Sequence, residues 1–262
     1  MSKLKNKRAL LTGSSSGLGL AIAESLAAEG CDVAIHGRSD VQSMQPLCRE
    51  LGERHGVIFH YIQADLSHLD GVTQLVQSAR DLMGGIDILI NNAVTRHFGP
   101  LHEIPLDAWQ QALAVNLSAP LYAIQQVLPE MRDRQWGRIF NMTSIYGMRG
   151  TPNRVDYVTT KSGLLGMTRV VALENLDYGI TCNAISPGST LTPNIESRVA
   201  ALQEKENLDY DEAVRLFLTG KQPSGRFNRS EHVGDLITFL CSDAGTDITG
   251  AMLPIDGGWL AS

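Results

Sequence analysis

The chain contains the stretch Thr12-Gly13-Ser14-Ser15-Ser16-Gly17-Leu18-Gly19, which joins a short apolar run, Ala9–Thr12, to a helical pattern that starts at Gly17. Glycines at such a junction allow a tight turn and a close approach of backbone N–H groups to a pyrophosphate, and the helix N-terminus adds a partial positive charge. The stretch therefore predicts a strand–turn–helix unit that holds the phosphates of a dinucleotide. The residues assigned to this contact are Gly13, Ser15, Ser16, Gly17, Leu18 and Gly19.

The same residues also fit a second motif. Gly13-Ser14-Ser15-Ser16-Gly17 matches G-x-S-x-G, the nucleophile elbow of hydrolases, which likewise lies between a strand and a helix. An elbow needs earlier strands and an upstream loop that supplies an oxyanion N–H, and only twelve residues precede Gly13. The sequence also contains no clear Asp-then-His pair downstream. We therefore expect a phosphate-binding turn rather than a nucleophile elbow.

Short apolar runs alternate with longer helical patterns along the chain. Strands are predicted at Ala9–Thr12, Asp32–His36, Val57–Gln63, Ile86–Asn91, Arg138–Met142, Thr181–Ile185 and Met252–Ile255. Helices are predicted at Gly17–Gly30, Val41–His55, Leu69–Gly84, Asp107–Arg134, Val155–Tyr178 and Glu231–Ser242. This alternation is typical of βαβ units around a parallel sheet that is covered on both faces. We predict an α/β fold with a Rossmann-type, doubly wound sheet of about seven strands in three αβα layers.

The length of 262 residues suits one large domain, and we assign residues 1–262 to a single dinucleotide-binding catalytic domain. Residues 189–228 interrupt the alternation of strands and helices, because these forty or so residues contain no predicted strand. Within them, Glu204–Leu218 has the pattern of an acidic amphipathic helix. Long inserts of this kind often cover a site, so this one is predicted to be a substrate lid. Pro120 is expected to kink the long helix that contains it.

Composition excludes several classes of partner. The formal net charge is −6 and there is no long basic run, which argues against nucleic acid. No apolar stretch approaches the roughly 20 residues that a membrane span needs. The four cysteines have no C-x-x-C spacing and the histidines have no metal-ligand spacing. We expect a cytoplasmic protein with reduced thiols, no metal, no membrane contact and a small-molecule substrate.

Tyr157 and Lys161 are four residues apart, so on a helix their side chains share one face. A free phenol, with a pKa of about 10, is a poor acid or base near neutrality, and a neighbouring cation favours the phenolate. Such a pair can exchange a proton with an alcohol or carbonyl oxygen. Taken alone, the spacing is more typical of a solvated helix face. Other residues must therefore show whether the pair is catalytic.

Several further motifs occur in a fixed order around this pair. They are Asp65-Leu66, Asn91-Asn92-Ala93, Asn116, Ser144, Pro187-Gly188 and Asp256-Gly257-Gly258. Together with the glycine-rich turn and Tyr157-x-x-x-Lys161, they resemble the short-chain dehydrogenase/reductase family in its single-domain form, over nearly the whole chain. Each motif lies at the carboxyl end of a predicted strand or on the helix that follows, where ligands bind in open parallel sheets.

The resemblance implies roles for individual residues. Tyr157 is the acid/base, Lys161 assists it and contacts the nicotinamide ribose, Ser144 positions the reacting oxygen, and Asn116 holds a water that links Lys161 to solvent. The further residues implied to contact the dinucleotide are Asp65, Leu66, Asn92, Ala93, Pro187, Gly188, Thr190 and Thr192. One departure is Val94, where the family usually has glycine.

The end of the second predicted strand bears on the choice of dinucleotide. NAD-dependent enzymes place an acid there on the ribose 2′-hydroxyl, whereas a nearby arginine accommodates a 2′-phosphate. Ile35-His36-Gly37-Arg38 has no acid and does contain Arg38. We predict NADP(H) as the preferred cofactor, with NAD(H) left open in case Arg38 only stacks on adenine or faces solvent.

The lid region, with Lys221-Gln222-Pro223, is similar to the 3-hydroxybutyrate dehydrogenases of the family, but the substrate-binding positions differ. Ser189 and Tyr146 replace a tryptophan and a histidine, and Arg96, Arg154 and Arg198 replace two glutamines and a lysine. Arginines bind carboxylates and related anions bidentately. The set resembles family members that act on hydroxyalkyl sulfonates, so we predict a hydroxy or keto substrate with an anionic tail. Surface salt bridges or subunit contacts of the arginines remain the alternative.

Two other functions stay open on the sequence. One is a 3-oxoacyl carrier-protein reductase, which would use NADPH and turn its basic residues to an acidic carrier. The other is a dinucleotide-binding scaffold without turnover, although such a scaffold would not need Asn116, Ser144, Tyr157 and Lys161 together. The apolar C-terminal residues Gly257-Gly258-Trp259-Leu260 are of a kind that packs across subunits in this family, which implies a homotetramer.

Overall fold

Seven strands pair into one parallel sheet. The structure is a computed structural model that describes residues 4–262, except for the side chain of Asn194. The strands are β1 (Arg8–Leu11), β2 (Asp32–Gly37), β3 (Phe59–Gln63), β4 (Ile88–Asn91), β5 (Gly137–Met142), β6 (Ile180–Pro187) and β7 (Met252–Ile255). Their order across the sheet is β3-β2-β1-β4-β5-β6-β7, and every neighbouring pair is parallel. The predicted doubly wound arrangement is confirmed.

Helices cover both faces of this sheet. They are α1 (Gly17–Ala28), α2 (Val41–His55), α3 (Leu69–Met83), α4 (Leu106–Leu113), α5 (Ala119–Asp133), α6 (Val155–Leu173), α7 (Pro193–Glu206), α8 (Tyr210–Leu218) and α9 (Ser230–Cys241). No helix within residues 4–262 is long and apolar enough to cross a membrane.

Two apolar clusters, one on each side of the sheet, form the core. One joins β-strand residues such as Leu11 to α1, α2 and α9, and the other joins residues such as Leu10 to α3, α5 and α6. Successive strand residues point to opposite faces, so a strand buried on both sides is largely apolar. Each fully buried leucine contributes on the order of 2 kcal/mol to folding. This packing explains the continuous apolar runs of the sequence.

The strand order reverses between β1 and β4, which lie side by side in the middle of the sheet. The helices that follow β1 and β4 therefore run to opposite sides, and a crevice opens at the carboxyl ends of these strands. The glycine-rich turn follows β1 at this edge of the sheet. The fold thus places the predicted site where two halves of the molecule diverge.

The long helix predicted over Asp107–Arg134 is interrupted. A π-helix at Ala114–Ser118 separates α4 from α5, and Pro120 lies in the first turn of α5. Proline has no N–H, so the carbonyl of Asn116 loses its usual partner four residues later and the hydrogen-bond pattern shifts. The expected disturbance near Pro120 is present, as a π-helix on its N-terminal side.

The single helix predicted over Glu204–Leu218 is wrong, because the insert contains two helices. Asn207 adopts a left-handed conformation with φ of 54° and ends α7. Asp209 then caps α8, accepting from Glu212 N at 2.8 Å, while the Glu212 carboxylate accepts from Asp209 N at 3.0 Å. A bridge between Thr190 and Asn228 closes the insert at its base. Its lid role and the single domain over 1–262 stay predictions, and Met1–Lys3 lie outside the described residues.

Candidate active site

A cleft of about 1260 Å³ opens at the carboxyl ends of the central strands. Its walls come from the glycine-rich turn, the loops after β2 to β6, the start of α6, and the insert at residues 189–228. Except for Gly17 and Asn116, every residue predicted to contact cofactor or substrate lines this cleft. Residues that are far apart in sequence thus meet in one space, as predicted from their positions at strand ends.

The glycine-rich turn is held against the end of β4. Thr12 Oγ1 accepts from Asn92 N at 2.9 Å and Ala93 N at 3.0 Å, and Asn92 Nδ2 donates to Gly13 O at 2.6 Å. Gly13 has φ of 60°, and a Cβ there would lie 2.7 Å from Ala93 Cα. Only glycine fits this contact, because a side chain would meet both strain and a clash.

The start of α1 is left open for an anion. Its N-cap residue, Ser16, makes no side-chain hydrogen bond to the first helical turn, and Gly17 is the first residue of the helix. The free N–H groups and the helix dipole favour a phosphate at this end. Across the cleft, the Thr190 hydroxyl is buried without a hydrogen-bond partner among the described residues. A bound dinucleotide fits both features, since it supplies phosphates and further polar groups.

Tyr157 and Lys161 both lie on α6, one turn apart, and both are buried. Lys161 Nζ is 5.7 Å from the centroid of the Tyr157 ring and donates to Met142 O at 2.6 Å. Burial, with a further contribution from Arg96, lowers the pKa of Lys161 to about 7. The Lys161 amino group thus lies beside the phenol in a dry environment, where electrostatic effects are strong.

Ser144 follows β5 and lines the cleft. Its Oγ accepts from Tyr146 N at 3.3 Å and so caps the short helix that begins there. Tyr146 in turn packs edge-on against Tyr157 and Trp259, with ring centroids 6.5 and 5.5 Å apart. These aromatic contacts hold the wall that carries Ser144 beside the phenol.

Asn116 lies in the π-helix and behind the cleft wall rather than on it. Its Oδ1 accepts from Thr95 N at 2.8 Å, and its Nδ2 donates to Thr95 O at 3.0 Å and to Thr160 Oγ1 at 3.3 Å. The amide thus ties the loop after β4 to α6. The water link to Lys161 implied by the family resemblance stays a prediction.

Four cations surround the substrate end of the cleft. The guanidinium carbon of Arg154 is 4.4 Å from the Tyr157 ring centroid, and that of Arg96 is 5.1 Å from it. In the insert, residues 189–228, the guanidinium carbon of Arg198 and Lys221 Nζ lie 5.1 and 4.2 Å from the Phe217 ring centroid. We call these four residues the cation cluster.

The cation cluster has no acidic partner in the part of the chain that the structure describes. None of its members takes part in the ion pairs found in residues 4–262. Arg154 Nε is buried without a hydrogen-bond partner in the same part of the chain. Burial lowers the pKa of Arg154 and Lys221, and nearby cations lower both further. Salt bridges within the chain therefore do not explain these arginines, whereas a bound anion would.

The predictions from sequence missed three contributors to the site. Lys221 lies in the Lys-Gln-Pro run already noted, but it was not assigned to the substrate. Phe98 lines the cleft and lies 4.8 Å from the Arg154 guanidinium carbon. Asp156 is fully buried and accepts from Tyr157 N at 2.7 Å and from His97 N at 3.0 Å. Its position next to Tyr157 was the only available signal.

Comparison with known proteins identifies the family. A sequence profile described as short chain dehydrogenase matches residues 7–203, which is well over half of the chain. The chain belongs to the short-chain dehydrogenase family. It is an oxidoreductase of this family that acts on CH–OH groups, interconverts secondary alcohols and ketones, and binds a nicotinamide dinucleotide.

Individual short-chain dehydrogenases resemble it over their whole length. D-beta-hydroxybutyrate dehydrogenase of Cupriavidus necator is 37% identical over 258 residues, covering 98% of this chain and 99% of the relative. A 3-oxoacyl-(acyl-carrier-protein) reductase of Aquifex aeolicus is 35% identical and covers 98% of both chains. The structure of L-sorbose reductase from Gluconobacter frateurii, complexed with NADPH and L-sorbose, matches with a TM-score of 0.93 at 31% identity and covers 100% of both chains.

Proposed function

We propose that this short-chain dehydrogenase uses NADP(H) to interconvert a secondary alcohol and a ketone on a small substrate with an anionic tail. The observation that carries the proposal is the cation cluster, Arg96, Arg154, Arg198 and Lys221, which faces the cleft without an acidic partner among the described residues. Within the cluster, Arg154 is half-buried and its Nε is buried without a hydrogen-bond partner among the described residues, so an anion bound beside it would offset the cost of its burial.

The reacting end of the substrate would lie at Ser144 and Tyr157. Ser144 donates a hydrogen bond to the substrate oxygen, and Tyr157 exchanges the proton with it. In its protonated form, Lys161 stabilises the phenolate through its charge. When bound, the dinucleotide supplies or accepts the hydride.

The anionic tail would lie against Arg154. This residue precedes Tyr157 by three positions, and its guanidinium is packed against the Tyr157, Tyr146 and Phe98 rings at 4.4, 5.4 and 4.8 Å. Packing on three rings fixes the direction of the planar guanidinium, which favours bidentate contact with a carboxylate, sulfonate or phosphate. Arg198 and Lys221 on the lid would complete the contact as the lid closes over the tail.

The preference for NADP(H) rests on Arg38. This residue follows β2, lines the cleft and forms no ion pair among the described residues, so its guanidinium is free for a 2′-phosphate. The NADPH in the L-sorbose reductase structure supports the same cofactor at 31% identity. Use of NAD(H) remains the competing outcome.

A carrier-protein reductase is the second candidate, because the Aquifex aeolicus relative is nearly as similar as the hydroxybutyrate dehydrogenase. In that case an acidic carrier protein would be attracted by the basic residues, and the ketone would be a thioester. The cation cluster favours the smaller anionic substrate, because Arg154 is half-buried beside Tyr157 rather than on the outer surface.

One activity screen tests these alternatives. Purified protein is assayed with NADP(H) and NAD(H) against hydroxyalkyl carboxylates, sulfonates and phosphates, L-sorbose, and an acetoacetyl thioester. We expect the highest kcat/KM with an anionic hydroxy or keto compound. Preferred turnover of a neutral sugar would refute the anionic tail, preferred turnover of the thioester would favour the carrier-protein reductase, and no turnover of any class would favour the scaffold.

Substitution of Arg154 tests whether this residue binds the anionic tail of the substrate. Arg154→Ala should raise KM for the preferred anion at least tenfold, because a charge-assisted hydrogen-bond pair is worth about 1.5 to 3 kcal/mol. The matched control is Arg169→Ala, which removes an exposed arginine from α6, the helix that Arg154 precedes, and should leave KM unchanged. Equal effects of the two substitutions would contradict a substrate role of Arg154.

We also propose a cytoplasmic homotetramer. The four cysteines are buried and free, which suits a reducing compartment. Light scattering of the purified protein tests the assembly, and a monomer would refute it.

A further inference from the structure

One buried histidine joins two walls of the nucleotide end of the cleft. His36 lies near the end of β2 and is 3% exposed. Its Nδ1 accepts from Gly13 N at 2.9 Å, and its Nε2 lies 3.1 Å from Ala64 O. A carbonyl oxygen can only accept, so Nε2 carries the proton and Nδ1 presents its lone pair to Gly13. These two contacts fix one neutral tautomer of the imidazole.

The backbone around His36 leaves the ring no alternative position. His36 N donates to Ser14 Oγ at 3.0 Å, and Ser14 N donates to His36 O at 2.8 Å. Gly13 itself is in close contact with Ala93. A change at the Nδ1 atom must therefore be absorbed by the glycine-rich turn, which is the part of the site that approaches the pyrophosphate.

We propose that His36 is a positioning residue for the dinucleotide, and that it holds the phosphate-binding turn in place only while its imidazole is neutral. Protonated imidazole is a donor at both nitrogens. Its new N–H would point at the Gly13 N–H, so the turn would lose its acceptor and move. The inference needs only the dinucleotide site of the family. It depends neither on the 2′-phosphate nor on an anionic substrate.

Burial and the charges around the ring set the pH at which the His36 imidazole is protonated. Burial lowers the pKa of His36, while the hydrogen bond to Ala64 O and the charge of Asp65 raise it by smaller amounts. The charge of Asp65 acts on the ring from the loop after β3, and Arg38 follows the end of β2, the strand that carries His36. The glycine-rich turn, residues 12–19, carries no titratable side chain. The neutral ring therefore persists at neutral pH, and protonation takes place only in acid.

Two substitutions distinguish the acceptor role of Nδ1 from the donor role of Nε2. In His36→Asn the amide oxygen takes the place of Nδ1, so the acceptor for Gly13 N is kept and no longer titrates. In His36→Gln the amide nitrogen takes the place of Nε2, so the donor to Ala64 O is kept and the acceptor is lost. Dissociation constants for NADH are measured by fluorescence titration between pH 5 and pH 8, without substrate. NADH is the probe because it lacks the 2′-phosphate, which itself titrates near pH 6.

For the wild type we expect the NADH dissociation constant to be constant near neutrality and to rise by up to about tenfold per pH unit once the ring protonates. His36→Asn should bind NADH within roughly threefold of wild type at pH 8 and show no such rise, because its acceptor is permanent. His36→Gln should bind about tenfold more weakly at every pH, because a buried N–H is left unsatisfied.

Three outcomes would overturn the proposal. They are a flat wild-type profile down to pH 5, the same acid loss in His36→Asn as in wild type, or undiminished binding by His36→Gln. Thermal unfolding of each variant checks that it folds. If neither variant folds, long-range ¹H–¹⁵N spectra of the wild type decide, because the proposal requires the Nε2–H tautomer and a His36 titration that coincides with the loss of NADH. Since no substrate is present, these results are independent of the substrate screen.

Discussion

Lys161 is expected to make the stability of the protein depend on pH in a way that reveals its burial. The residue is fully inside the protein, and its pKa is lowered to about 7 because burial disfavours the ammonium. In the unfolded chain the same group has a pKa of about 10.4. Below pH 7 both states carry the proton, and the folded state bears the full cost of the buried charge.

Between pH 7 and pH 9 the folded chain has released the Lys161 proton while the unfolded chain still holds it. The free energy of unfolding therefore rises with pH, by about 1.4 kcal/mol per unit for one proton. From pH 6 to pH 9 the Lys161 contribution amounts to about 2 to 3 kcal/mol. The sign is opposite to that of a salt-bridged lysine, whose contribution to stability is lost as the pH rises.

The assay compares wild type with Lys161→Met by urea unfolding of the nucleotide-free protein at pH 6, 7, 8 and 9. Methionine keeps the length of the side chain, and loss of the hydrogen bond to Met142 O is the same at every pH. The difference in unfolding free energy should therefore change by about 2 to 3 kcal/mol in favour of wild type as the pH rises. One protein concentration is used throughout, because assembly also contributes to stability.

The matched control is Lys5→Met, which removes an exposed lysine. Its effect on the unfolding free energy should be small at each of these pH values, because the side chain is exposed to water. If the Lys161→Met difference does not vary with pH, Lys161 remains charged in the folded protein and the reasoning from burial is wrong.

Three further substitutions test the remaining parts of the site. Tyr157→Phe should lower kcat by about 100-fold or more, because acid–base catalysis contributes about 10²–10⁴-fold. The NADPH dissociation constant, measured by fluorescence, should stay within about threefold of wild type, and unchanged turnover would show that Tyr157 is not the acid/base. Arg38→Ala should lower kcat/KM for NADPH at least about tenfold and leave that for NADH unchanged, and an unaltered ratio would refute the 2′-phosphate contact. Gly13→Ala adds a Cβ at positive φ against Ala93. It should therefore lower the free energy of unfolding in urea by more than about 1 kcal/mol and weaken binding of both dinucleotides. A variant as stable as wild type would show that the turn can move to accept the Cβ.

The inner strands were predictable because they are buried on both faces, which favours largely apolar residues. The residues at which the helices begin and end were harder to predict. Asn207 ends a helix inside an amphipathic pattern that continues past it, because left-handed asparagine and the Asp209 capping box outweigh periodicity. The π-helix before Pro120 is likewise a tertiary outcome, since the sequence shows the missing N–H but not how the bond pattern adjusts.

The site was predicted through motifs whose spacing is local, such as Tyr157 and Lys161 on one helix. Contacts between distant segments were not predictable in this way. His36 was examined only as a metal ligand, yet its two hydrogen bonds join the turn after β1 to the loop after β3. Lys221 was noted within a run of residues, but its proximity to Arg198 comes from the packing of both on the Phe217 ring.

The charge of the whole molecule and the charge of the site have opposite signs, and this contrast bears on selectivity. The chain carries a net charge of −6, so an anion approaching most of its surface is repelled. Arg96 comes from the loop after β4, Arg154 from the residue before α6, and Arg198 and Lys221 from the lid. Cations from separate elements thus line one cleft, where their mutual repulsion is unfavourable until an anion offsets it. An anionic tail would gain from this field, and a neutral substrate would not.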